Sequence, residues 1–188
     1  MCSSDLLEAR IVDAQTGADQ PAGTPGELLV RGWSLMKGYY NMPEATAKAI
    51  DGEGWLHTGD ICVANAEGRM KFVGRAKEML RVGGENVAPA DIENVLQTHP
   101  AVSQAQVVGV PDARMLEVPA AYVVLKPGAG ATEAELLAWG RARMANFKAP
   151  RYLRIIDNFD RIGMTGSFKV QKNKLREHAL ADLGLKDA

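Results

Sequence analysis

No window of this chain stays apolar for the roughly 18 residues that a membrane-spanning helix needs. The opening stretch, Met1 to Asp13, lacks the apolar core of a secretory signal, so the cytoplasm is the expected compartment. Two cysteines in 188 residues cannot make a disulfide framework. Cys2 and Cys62 suit a reducing environment, where a buried thiol behaves as a small hydrophobe. His57 and His178 have no Cys or His partners at metal-ligand spacing, and no metal site is expected. No local motif argues for a Ser-His-Asp or Cys-His arrangement, and no GxxxxGK phosphate cradle occurs. A net charge of −1 gives no long-range steering of polyanions, so nucleic acid is not an expected partner. Aromatics make up 6% of the chain, and Trp33, Trp55 and Trp139 are read as packing residues, not stacking platforms.

What is present is a globular composition, 46% apolar, with length enough for one ordinary domain or two small ones. Leu7–Asp13 and Gly26–Gly32 read as strands, with loop between them. Pro43 opens a short helix to about Ile50, with Asn41 as a nearby cap. Residues Ile61–Ala64 and Arg69–Val73, around Asn65-Ala66-Glu67-Gly68, read as a hairpin. After Gly74 the pattern changes. Pro89 begins a helix to about Thr98 with Ile92, Val95 and Leu96 on one face. Apolar strands follow at Val102–Val110 and Ala120–Leu125. Thr132 and Glu135 form a capping box for a helix to about Asn146. Tyr152–Ile156 is a further strand and Lys172–Leu183 a terminal helix. Two α/β pieces meet near Arg75–Glu78; the first has too much loop to bury a core of its own.

Four constellations could carry chemistry. In GWLHTGD, Asp60 follows a tight Thr58-Gly59 turn that would expose its carboxylate, which can accept both hydroxyls of a ribose. The plainer alternative is an ordinary loop aspartate. In Arg75-Ala76-Lys77, Arg75 offers a planar fork for hydroxyls or phosphate oxygens, or is a solvated charge. Gly83-Gly84 allows positive φ and close backbone approach to a ligand, or is a plain turn. In MTGSFKVQKNKLRE, Gly163 and Gly166 would make the segment mobile, and Lys169 could meet negative charge developing in a transition state. The alternative there is a surface lysine at the start of a basic helix.

The run GRAKEMLRVGGENVAPADIE, Gly74–Glu93, resembles the linker of AMP-forming acyl-CoA synthetases, in the adenylate-forming superfamily. Gly54–Asp60 and Thr165–Lys172 resemble two further motifs of that family, and the likeness runs from about Leu7 to Leu180. The implied fold class is α+β. Residues 76–188 would be the small mobile C-terminal domain, a short mainly antiparallel sheet flanked by helices. Residues 1–75 would be the β-rich C-terminal edge of the large adenylating domain, most of which lies outside this chain. The implied reaction activates a carboxylic acid with ATP and magnesium to acyl-AMP, then transfers it to CoA. In that scheme Lys169 is catalytic, Asp60 and Arg75 hold the nucleotide, and Gly83 and Gly84 line the thiol channel. Arg141, flanked by Arg143 and Lys148, matches a CoA-contacting position, against the alternative of a solvated helix end. Lys77 falls on the hinge. His99-Pro100 is a helix-end cap or, as in some relatives, part of a cation site. Ser167-Phe168-Lys169 departs from the usual Ser/Thr-Gly-Lys and resembles a fatty acyl-CoA synthetase subset, so a fatty acid is the expected substrate. The fragment alone is expected to be inactive. Alternatives are a stand-alone nucleotide, CoA or protein-binding module, or adenylation for a carrier protein. A homo-oligomer is compatible with the sequence.

Overall fold

A computed structural model describes residues 7–186, so Cys2 and most of the opening stretch lie outside it. The chain divides into two compact units, one ending at Lys77 and the other beginning at Glu78.

The first unit is a four-stranded antiparallel sheet in sequence order: β1 (Glu8–Val12), β2 (Gly26–Arg31), β3 (Leu56–Ala64) and β4 (Met70–Arg75). The Asn65–Gly68 turn joins β3 to β4, with the Asn65 side chain accepting the Arg69 N–H at 2.8 Å. A short helix, α1 (Pro43–Ala49), lies between β2 and β3. Its N-cap is Met42, not Asn41, and no side chain caps it. Asn41 instead takes a left-handed backbone, φ 53°, a region its short amide tolerates. The core cluster is small: Val12, Leu29 and Trp55. The Arg10 and Arg31 guanidiniums stand over the Trp55 ring at 5.2 and 4.5 Å, in cation–π range.

One expectation fails here in an instructive way. Thr58-Gly59-Asp60 is not a turn; it lies inside β3. Glu27 pairs with Ile61 and Leu29 with His57, so Leu28 alone faces Thr58, Gly59 and Asp60. The surplus residues form a bulge, with Gly59 at φ 69°. Bulges re-aim side chains locally without ending a strand. The result leaves the Asp60 side chain only 25% exposed, where a turn would have left it open.

The second unit has a five-stranded sheet. β5 (Leu80–Val82) and β6 (Glu85–Val87) form a hairpin, and the order runs β6-β5-β8-β7. β7 (Val102–Asp112) is the outer strand and pairs antiparallel with β8 (Leu116–Leu125). β9 (Tyr152–Ile155) pairs with β8 in parallel. The helices are α2 (Pro89–Gln97), α3 (Glu133–Arg141) and α4 (Lys172–Leu183). Thr132 and Glu135 do form the capping box of α3, but the helix stops at Arg141 and turns lead on to Pro150.

Alternation along β7 and β8 sends side chains to two separate cores. Ala105, Val107, Ala121 and Val123 join Ile92, Leu96 and Leu136, from α2 and α3. Val108, Val110, Ala120 and Tyr122 join Phe159, Leu175 and Ala179, the last two from α4. Ile92, Leu96 and Leu136 are fully buried; each such side chain contributes about 1.5–3 kcal/mol through apolar burial. Both sheets are mainly antiparallel and the helices flank the second, which is the expected α+β class.

Candidate functional site

In the first unit the bulge and the neighbouring strand bring two candidates together. Asp60 and Arg75 are cross-strand partners on β3 and β4. Arg75 Nε lies 2.8 Å from Asp60 Oδ1, near enough for charge pairing. It is not aligned as a hydrogen bond, and Oδ1 is buried with no hydrogen-bond donor. Leaving a buried acceptor without a donor is costly; here the Arg75 guanidinium beside it supplies the compensating charge. The bulge itself is well held. The Thr58 hydroxyl donates to the Leu28 carbonyl at 2.7 Å, and the Asp60 N–H donates to that hydroxyl at 3.1 Å. Glu27 accepts the Gly59 N–H at 3.1 Å and contacts His57 Nδ1 at 3.2 Å. Glu27 has no motif that marks it; its part is visible only once the strand register is known. Behind the site, burial and then the Asp60 charge push the Cys62 thiol up. That disfavours the thiolate and makes Cys62 a packing residue.

Lys77 is exposed and lies in a 3-10 turn, Ala76–Glu78, immediately before the second unit begins.

Gly83 and Gly84 occupy the two-residue turn of the β5–β6 hairpin, at φ 59° and 91°. Two consecutive positive φ values are the demand of the tightest hairpin turns, which glycine meets without strain. Gly83 donates its N–H to the Met115 carbonyl at 2.8 Å, and a Cβ there would sit 2.6 Å from the Met115 methyl. Gly84 has no atom within 4 Å of such a position. The turn is therefore pinned at its first glycine and open at its second. Val82 and Met115 then continue into a groove of about 340 Å³ that also takes in Arg141, Asn146, Phe147 and Arg151. Arg141 thus shares a groove with the double-glycine hairpin.

Its basic neighbours are engaged elsewhere. Arg143 stacks on the Trp139 ring at 3.3 Å, and Lys148 pairs with Asp91 at 2.8 Å. Arg151, also in the groove, pairs with Asp112 at 2.8 Å. The Met115 and Arg114 N–H groups, and then Arg151, hold the Asp112 carboxyl below its usual range. His99 Nδ1 accepts the Ala101 N–H at 3.2 Å, so the imidazole acts at the helix end as a local acceptor. Among the described residues no group of three or more His, Cys, Asp or Glu side chains could hold a metal ion. No described helix is long and apolar enough to cross a membrane.

Lys169 stands apart from that groove, on a hairpin closed by a Met164–Val170 bridge. Thr165 binds Lys169 twice: its N–H donates to the Lys169 carbonyl at 2.8 Å, and its hydroxyl accepts the Lys169 N–H at 3.1 Å. Thr165 through Lys169 are all exposed, and no described group pairs with the Lys169 ammonium. Phe168 has a left-handed backbone, φ 59°, and is 84% exposed. That is why a glycine suits this position and why phenylalanine is a departure. At Gly163, φ 133°, the Lys174 stem packs 2.5 Å from where a Cβ would be.

A family model described as the AMP-binding enzyme C-terminal domain matches residues 91–169. The mitochondrial medium-chain acyl-CoA ligase ACSF2 of Macaca fascicularis is 43% identical over 178 residues, 95% of this chain and 28% of that protein. The 4-coumarate–CoA ligase-like 9 protein of Oryza sativa is 44% identical over 171 residues, 91% of this chain and 30% of its own length. The crystal structure of ATP-bound MatB from Rhodopseudomonas palustris matches with a TM-score of 0.85 at 34% identity, over 94% of this chain and 34% of that one. The chain therefore spans about a third or less of the length of its relatives. Residues 91–169 carry the C-terminal domain of the AMP-binding enzymes, and the relatives that the chain matches along most of its length are CoA ligases.

Proposed function

We propose that the chain is the C-terminal part of an AMP-forming acid–CoA ligase, acting with a larger adenylating portion. The observation that carries this reading is the Asp60–Arg75 pair, aligned across β3 and β4 at 2.8 Å with the Arg75 side chain half-exposed. The partly exposed Asp60 carboxylate can accept ribose hydroxyls, and Arg75 supplies the counter-charge. ATP would bring its magnesium to phosphates held mainly by the other portion. Lys169, exposed and without a described partner, would place its charge against the carboxylate and α-phosphate as the mixed anhydride forms. Lys77 would be the hinge, a reading supported by the change of unit directly after it. Gly84, with open space around it, would let the pantetheine thiol pass, and Arg141 would meet a CoA phosphate. The substrate would be a medium- or long-chain fatty acid. The Thr165–Lys172 run supports that, as does the name of the medium-chain ligase among the relatives.

The test supplies the adenylating portion, fused or in trans, and follows the two half-reactions separately. Lys169→Ala should slow acid-dependent pyrophosphate exchange by about 10²–10³-fold, the scale for loss of one transition-state charge contact. Thioester formation from added acyl-AMP should survive much better. Equal loss in both half-reactions would remove Lys169 from this role. The chain alone should show no turnover, and micromolar nucleotide binding by it alone would favour an independent binding module instead.

A further inference from the structure

Lys172 opens α4 three residues after Lys169. Its ammonium pairs with the Glu93 carboxylate of α2 and donates to the Val107 carbonyl of β7 at 2.9 Å. The same Glu93 oxygen accepts the Val107 N–H at 2.8 Å. Both side chains are mostly withdrawn from water, 20% and 14% exposed. One carboxylate and one ammonium thus join α2, β7 and α4 at a single point. Removing either partner of such a pair strands the other charge, which is far costlier than losing a surface ion pair.

The start of α4 is otherwise held by Leu175, buried in the second core, and by the Gln171 side-chain amide, which donates to the Met164 carbonyl at 2.9 Å. Gln171 at the N-cap makes no side-chain cap, and the first turn carries no acidic residue. The hairpin from Thr165 to Lys169 is exposed throughout and adds nothing to either core. Its direction is therefore set at its stems. One stem is the Gly163 N–H on the Phe159 carbonyl at 3.1 Å. The other runs through Gln171, whose N–H meets the Gly163 carbonyl at 3.1 Å, straight into Lys172.

We propose that Glu93 and Lys172 form a positioning clamp for Lys169. The clamp fixes where α4 begins, and so where the hairpin points its lysine. It acts through Lys169 and touches no substrate. This rests on the catalytic reading of Lys169 given above.

The first test uses the chain as it is. Amide hydrogen exchange is followed at Phe168 and Lys169, and at Leu96 and Val123 in the core, for wild type, Lys172→Gln, Glu93→Gln and Lys172→Arg. The two charge-removing variants should speed hairpin exchange on the order of tenfold with core rates unchanged, a local and not a global opening. Lys172→Arg should restore the slow rates. Hairpin and core rates rising together, or no change in the hairpin, overturns the proposal. The second test adds the adenylating portion. Lys172→Gln should lower kcat for pyrophosphate exchange on the order of tenfold with the KM for ATP unchanged, as a misplaced catalytic group does. Adenylation lost in Lys169→Ala but intact in Lys172→Gln also overturns it. Adenylation indifferent to Lys169→Ala would sink the role given to that lysine, while the exchange comparison still decides the clamp.

Discussion

Phe168 combines two unfavourable states in one residue, a left-handed backbone and an almost bare aromatic ring. For a bulky side chain the first is a real outlier. Because the ring is 84% exposed, replacing it with glycine removes strain while giving up few contacts. Phe168→Gly should therefore raise stability by about 0.5–1 kcal/mol in urea denaturation, net of glycine's greater freedom in the unfolded chain. Tyr122 is the opposite case, buried at 1% exposure with its hydroxyl donating to Asp182 at 3.0 Å. Burial first, then the hydrogen bond to Asp182 and its charge, raises its pKa above the ordinary 10.0. The folded state thus holds this proton longer than the unfolded chain does. The resulting stability is complete below about pH 10 and drains away as pH climbs beyond it. Tyr122→Phe should cost about 1 kcal/mol at neutral pH and flatten the alkaline limb of a stability–pH curve.

At the level of elements, periodicity and caps made most of the second unit legible. The spacing of Ile92 and Leu96 marks the buried face of α2, and the Thr132–Glu135 box marks the start of α3. These signals are local, so a linear reading can find them. What escaped it depends on pairing between distant residues. Thr58-Gly59-Asp60 looks the same in a turn and in a bulge; only the register against Leu28 separates them. Asp60 and Arg75 were each singled out by motif, yet their alignment across β3 and β4 follows from that same register. Glu27, Glu93 and Lys172 are charged residues with no motif of their own. Each gains its part from a strand or helix many residues away. The parallel β8–β9 pairing is likewise set by packing, with nothing in the four residues of β9 to declare its direction.

The two units differ most in what they bury. The second holds two apolar clusters that together take in both faces of β7 and β8, whereas the first holds one small cluster of Val12, Leu29 and Trp55. Residues 78–188 expressed alone should therefore give a cooperative thermal transition by circular dichroism. Residues 1–77 alone should melt broadly or not at all, since so small a core cannot outweigh chain entropy. A sharp transition for the shorter piece would show that its core had been underestimated. The outer position of β7 has a consequence for life in crowded solution. A bare strand margin is a template on which stray chains zip up, the first step toward insoluble fibres. Midway along that margin, the amide and carbonyl of Val107 are already taken by Glu93 and Lys172. A foreign strand would have to evict a largely buried ion pair before it could lie down there, so the pair that seats the hairpin also bolts the sheet shut against its own kind.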